Sequence, residues 1–207
     1  MIDERGIEPA RAALDKNDKT SLWPEKYAPT KQEDLIGNKT SLALIREWLE
    51  DWQDVQFKDI KKTVTLRRGQ TWANAPKPNA KALLLSGPPG IGKSSCVRIL
   101  ARELGYDVKE FNASDQRSKK VLSELLKPSI DNKSILEYKG VGTCKRTLFV
   151  MDEVDGLGAG DRGGVTAIIA ASKTTKVPLV LICNDGKAQK LASLANYCYL
   201  VNFAPLS

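Results

Sequence analysis

The chain of 207 residues contains no histidine. Imidazole acid–base chemistry is thereby excluded, and with it nucleophiles activated by Ser-His or Cys-His pairs. The four cysteines, Cys96, Cys144, Cys183 and Cys198, lie far apart with no CxxC pair, so neither a disulfide framework nor a zinc site is suggested. Cys183 sits in an apolar run and reads as a plain buried thiol. This cysteine usage fits a reducing cytoplasmic or nuclear compartment. No stretch approaches the ~20 apolar residues of a membrane span. Met1-Ile2-Asp3-Glu4-Arg5 lacks the apolar core of a secretory leader, and no internal repeat is visible. The apolar fraction of 42% and the charged fraction of 28% are those of a soluble globular domain large enough to bury a core.

The net charge of +7 is compatible with an anionic partner and equally with a solvated basic surface. Its distribution says more. Lys58, Lys61, Lys62, Arg67, Arg68, Lys77 and Lys81 face a single acid, Asp59, in a stretch that also holds Pro76 and Pro78. This segment reads as a long surface insertion at about 54–81, with solvated charges favoured over a nucleic-acid contact. Residues 1–20 are polar and read as a tail or linker.

The informative segment is Gly87-Pro88-Pro89-Gly90-Ile91-Gly92-Lys93-Ser94. Before it, Ala82-Leu83-Leu84-Leu85 is a short apolar run that predicts a buried strand. After it, Val97, Ile99, Leu100 and Leu104 recur at helical spacing until Gly105. Strand, glycine loop and helix are the context a phosphate-binding P-loop needs. Glycines let successive N–H groups turn toward phosphate, and the helix N-terminus adds partial positive charge. Lys93 is then expected to reach the terminal phosphates, and the Ser94 hydroxyl to ligate magnesium.

A second apolar run, Thr147-Leu148-Phe149-Val150-Met151, ends at Asp152-Glu153-Val154-Asp155, which puts carboxylates at the carboxyl edge of a sheet. Asp152 is expected in the magnesium shell and Glu153 beside the attacking water. A third run, Val177 to Cys183, ends at Asn184-Asp185, where an amide could sense the γ-phosphate. Between 40 and 53, Leu42, Ile45, Trp48, Leu49 and Trp52 share one helical face, with Asn38, Thr40 or Ser41 as N-cap and both tryptophans read as core. Tyr106 to Phe111 predicts a half-buried strand, Asn112-Ala113-Ser114-Asp115 a helix cap, Gly163 to Ser172 a short helix, and Tyr199 to Phe203 a closing strand. Strands alternating with helices predict a parallel sheet covered on both faces.

Together these motifs resemble Walker A, Walker B and sensor 1 of the AAA+ ATPases. Leu22-Trp23-Pro24-Glu25-Lys26-Tyr27-Ala28-Pro29 and Asp34-Leu35-Ile36-Gly37-Asn38 resemble the entry signature of clamp-loader ATPases. Asn112 to Ser118 and Met151 to Gly164 resemble the large subunit of eukaryotic replication factor C. The fold so implied is an α/β P-loop NTPase with a parallel sheet flanked by helices, over residues 21–207 and without the helical lid that follows it in the family. The resemblance implies ATP and Mg2+ as cofactors, held by Gly87 to Ser94 and Ser95, with Pro24, Tyr27, Pro29 and Ile36 near the adenine and Asn184 near the γ-phosphate. It implies small clamp-loader subunits in a hetero-oligomeric ring, a sliding clamp and primer–template DNA as partners, a nuclear setting and no membrane. Arg117, Lys119 and Arg162 are the DNA-contact candidates. Small subunits of the family carry a Ser-Arg-Cys triplet whose arginine reaches a neighbour's ATP; the matching stretch here, Asn196-Tyr197-Cys198, has none. The expected activity is ATP hydrolysis, weak until a neighbour supplies its arginine. The alternatives are a nucleotide-dependent scaffold with little hydrolysis, or the large subunit of another clamp loader.

Overall fold

The computed structural model describes residues 27–58, 60–63, 76–113, 146–157, 162–175, 177–186 and 188–205. Its helices are α1 (Lys39–Phe57), α2 (Lys93–Glu103), α3 (Arg162–Thr174) and α4 (Ala192–Ala195). Its strands are β1 (Ala82–Ser86), β2 (Tyr106–Asn112), β3 (Arg146–Asp152), β4 (Leu179–Cys183) and β5 (Cys198–Asn202). The strands form one sheet in the order β2-β3-β4-β1-β5. Every pairing is parallel, with Ala82 opposite both Leu179 and Cys198, and Asn112 opposite Asp152.

The two faces of the sheet follow from the alternation of side chains along a strand. Leu83 and Leu85 point to one side, where α1 and α2 supply Ile45, Trp48, Leu49, Val97 and Leu100. Ala82 and Leu84 point to the other, where Ile168 and Ala171 of α3 pack with Leu191 and Leu194. The interior strands β1 and β4 are buried at every position, which is why they are continuous apolar runs. Edge strand β5 exposes Leu200 and Asn202, and β2 carries charges at Asp107, Lys109 and Glu110, which blunts an open edge.

Both tryptophans of α1 are core residues whose indole N–H groups donate to the carbonyls of Ala80 and Lys81, at 3.0 and 3.3 Å. The helix runs to Phe57, into the stretch read above as insertion, and Val55 is still buried there. Beyond it, Lys62 N–H donates to Asn79 Oδ1 and Asn79 Nδ2 donates to Lys62 O, both at 2.8 Å, while the Lys62 ammonium pairs with Glu47 and Asp51. The two ends of the insertion are thus bonded to each other and to α1; residues 64–75 lie outside the described residues. Asn38 does stand at the N-cap position of α1, but its side chain caps nothing and bonds residue 204 instead. The helix expected after Asn112 lies outside the described residues.

Leu100 is fully buried between α1 and the sheet. Leu100→Ala is expected to lower stability by about 2–5 kcal/mol, read from urea unfolding. Burial pushes the Cys198 thiol up to about 12 and Cys183, with Asp155 nearby, to about 11. An unfolded thiol ionises near about 8.5, so above that pH the unfolded chain binds fewer protons and these thiols' contribution to stability falls as pH rises. Unfolding measured from pH 8 to 10.5 should show a shallower decline in Cys198→Ala than in the native chain.

Candidate nucleotide site

Parallel pairing brings the carboxyl ends of β1, β2, β3 and β4 to one edge of the sheet, and the candidate site is built there from the turns that leave them. The loop after β1 is shaped by its glycines. A Cβ on Gly87 would lie 2.7 Å from the Phe203 carbonyl oxygen, so the chain end after β5 can press against the loop only because Gly87 has no side chain. Gly90 and Gly92 take φ of 76° and 80°, the left-handed region that costs glycine nothing. Gly92 is the N-cap of α2 and offers no side-chain cap, which leaves the first N–H groups of that helix free for an anion.

Lys93 opens α2 and is buried, with 7% of its surface exposed. Its ammonium donates to Gly87 O at 2.7 Å, Pro88 O at 2.8 Å and Asn184 Oδ1 at 2.9 Å. All three donors are therefore used, and all on neutral oxygens. Burial holds the Lys93 amine below the usual lysine range, against the opposing pull of Asp152. An arriving phosphate would supply the full negative charge that these neutral oxygens lack.

Ser94 Oγ donates to Asp152 Oδ2 at 2.5 Å, so the hydroxyl and the strand-end carboxylate expected to share an ion are already side by side. Among the described residues no cluster of three His, Cys, Asp or Glu side chains could hold a metal. One hydroxyl and one carboxylate fit a magnesium ion that takes its remaining ligands from phosphates and water. Glu153 has φ 54° and ψ 40°, a left-handed conformation unusual for a side-chain-bearing residue, and its backbone N–H donates to Asp152 Oδ1 at 2.8 Å. The turn is tied down by buried Val154 and by Asp155, whose Oδ2 accepts the Asn184 N–H at 2.9 Å.

Two participants escaped the sequence reading. Asn112, expected to cap a helix, is the last residue of β2 and donates its Nδ2–H to Glu153 Oε2 at 2.7 Å. Asp155 was legible as part of an acidic turn, but its grip on Asn184 was not. Both depend on which strands are neighbours; the one usable signal was a polar residue at the tip of each strand.

Other expected residues are placed less fully. Tyr27 is 70% and Ile36 84% exposed, Pro29 is partly buried, and Pro24 lies outside the described residues. Arg117 and Lys119 also lie outside them; Arg162 is the first residue of α3, its side chain not among the described atoms. In Asn196-Tyr197-Cys198, the Asn196 carbonyl accepts from Lys77 Nζ at 2.8 Å, Tyr197 sits 4.1 Å beneath the Lys173 ammonium, and Cys198 is buried.

Known proteins match this chain on three counts. The family model of the Rad17 P-loop domain matches residues 15–136, and that of the ATPase family associated with various cellular activities (AAA) matches residues 83–194. Among curated proteins, replication factor C subunit 1 of rice is 40% identical over 197 residues, covering 90% of this chain and 19% of that protein. The human protein of the same name is 36% identical over 88% of this chain and 16% of its own length. The replication factor C large subunit of Methanococcus maripaludis strain C6 is 39% identical over 87% of this chain and 31% of its own. The chain thus spans about a fifth of the length of the eukaryotic relatives. Among solved structures, C. elegans PCH-2 has a TM-score of 0.51 at 19% identity, covering 82% of this chain and 43% of that one. A katanin structure has a TM-score of 0.55 at 18% identity, covering 84% and 53%. At such identities these two speak for the fold alone. With each family model spanning more than half of it, the chain belongs to the AAA family of ATPases, on the side of that family where the replication factor C large subunits lie.

Proposed function

We propose that this chain is the ATP-binding and hydrolysing part of a sliding-clamp loader subunit, working in the nucleus in DNA replication and repair. The observation that carries this reading is the Lys93 ammonium, buried at the phosphate loop and bonded to the side-chain carbonyl of Asn184 just past the end of β4. Lys93 would hold the β- and γ-phosphates, Ser94 and Asp152 the magnesium ion, Glu153 the attacking water, and Asn184 the γ-phosphate. When bound, magnesium would neutralise charge developing on the phosphates. Exposed Ile36 and Tyr27, with Pro29, would cover the adenine. In the assembled loader, ATP would tighten the ring of small subunits around an opened clamp and primer–template DNA, and hydrolysis would release both.

Turnover would be slow in the isolated chain for two reasons. This site would wait for a neighbour's arginine, worth about 10³-fold or more, while Asn196-Tyr197-Cys198 offers none in return. In addition, the Asn112 amide occupies the Glu153 oxygen that would otherwise take a proton from water. That contact also favours a second reading, in which the nucleotide here serves mainly to assemble the complex.

Lys93→Ala should weaken ATP binding by about 10²-fold or more, because a charge-assisted contact is lost from a buried site. Glu153→Gln should keep ATP affinity and lose about 10²- to 10⁴-fold in turnover. Equilibrium binding and phosphate release check both; ATP affinity retained in Lys93→Ala would contradict the assignment, and unchanged turnover in Glu153→Gln within the assembled loader would favour the scaffold. Asn112→Ala should raise basal phosphate release several-fold by freeing Glu153, measured without clamp or DNA.

A further inference from the structure

The turn before α1 is built against the normal preference of its residues. Gly37 and Asn38 take consecutive positive φ values of 79° and 49°. Asparagine tolerates this region better than most residues but still at a cost. An asparagine directly before a helix usually accepts from an early helix N–H; this one makes no such bond. It spends its amide elsewhere, donating from Nδ2 to Ala204 O at 3.0 Å and accepting the Ala204 N–H on Oδ1 at 2.8 Å. The side chain imitates a strand residue and binds the chain end that leaves β5. Ser41 adds a bond to the Asn202 carbonyl at 2.7 Å.

What Asn38 grips lies against the phosphate loop. Phe203 N–H donates to Ser86 O at 2.7 Å, and the Phe203 carbonyl oxygen lies 2.7 Å from where a Cβ on Gly87 would be. Asn38 to Ala204, Phe203 to Gly87: two short steps set the position of the Ile36–Gly37 turn relative to the start of the loop. Ile36, two residues before Ala204's partner Asn38, is 84% exposed, an apolar side chain held in water on the turn so tethered. A side chain so placed gains when a flat apolar group covers it, and it does so reproducibly only if the turn beneath it is fixed.

We propose that Asn38 is a positioning residue for base recognition: its two-way bond to Ala204 ties the turn that carries Ile36 to the segment packed on the phosphate loop, so that the chain prefers a purine nucleoside triphosphate over a bare triphosphate chain. This inference rests on the reading of the site as an ATP site with Ile36 near the base. Asn38 touches no phosphate, and its loss acts only through the turn that carries Ile36.

The test compares Mg-ATP with Mg-tripolyphosphate in equilibrium binding to the full chain, native and with Asn38→Gly, which keeps the left-handed backbone but removes the amide. The native chain should bind ATP more tightly than tripolyphosphate. In Asn38→Gly that preference should shrink about tenfold while tripolyphosphate affinity stays unchanged. Asn38→Asp, which keeps the acceptor for Ala204 N–H and loses the donor, should fall between and serves if the glycine variant does not fold. In an Ile36→Ala background, Asn38→Gly should cost little more, since the two act through one contact. ATP and tripolyphosphate affinities falling together would make Asn38 part of the general framework and overturn the proposal, as would an undiminished ATP preference. A native chain that binds both ligands equally would instead overturn the base-contact reading itself.

Discussion

Parallel hydrogen bonding of β1 to β4 on one side and β5 on the other is the constraint from which the rest of the molecule follows. A parallel ladder sends every strand in one direction, so each must be regained by a crossover and every carboxyl end opens on one edge. Lys93 and Asn184 are 91 positions apart and Ser94 and Asp152 are 58 apart, yet each pair is in contact because their strands end together. Slide β3 by one residue against β2 and Asn112 would no longer stand opposite Asp152, and the contact with Glu153 would be lost with it.

The polar side chains of the site satisfy one another. A buried ammonium costs several kcal/mol unless its protons find oxygens, and Lys93 finds three. Asp152 holds a hydroxyl and an amide N–H, Asp155 an amide N–H, and Glu153 a side-chain amide. Among the described residues no fully buried side-chain nitrogen or oxygen lacks a partner. Binding at such a site exchanges side-chain partners and adds the uncapped N–H groups at the start of α2. The gain then depends on how much better a phosphate oxygen or a hydrated cation suits each group than its present neighbour.

How much was readable in the sequence depended on how far apart the cooperating residues lie. β1 and β4 are buried on both faces, so their composition alone announced them, and the glycines of the loop declared a backbone that few other residues permit. The edge strand β2 shows itself by the alternation from Tyr106 to Phe111, with Lys109 and Glu110 at exposed positions. Asn112 reads locally as the start of a four-residue helix cap, because only local jobs can be inferred from neighbours in sequence, and its bond to Glu153 is not local. Asn38, one of three N-cap candidates, does stand at the N-cap position, but its side-chain bond is equally hidden: residues that favour caps do so by bonding nearby backbone, and nothing local reveals a partner 166 positions away. The end of α1 was placed too early because lysines and prolines beyond it suggested a loop, while the buried Val55 that extends the helix was a single apolar residue.

The mutual bonds between Lys62 and Asn79 have a consequence for how this domain could change over generations. The cost of joining the two ends of an excursion grows only slowly with its length, about 0.6 kcal/mol for each doubling. Here that joining is done by the ends themselves, with Trp48 and Trp52 anchoring the returning strand to α1 through Ala80 and Lys81. Whatever lies between residues 63 and 76 can therefore lengthen, shorten or be replaced while the phosphate loop, one strand further on, keeps its geometry. The neck is a socket: a place where new binding specificity can be plugged into an old engine without retuning it.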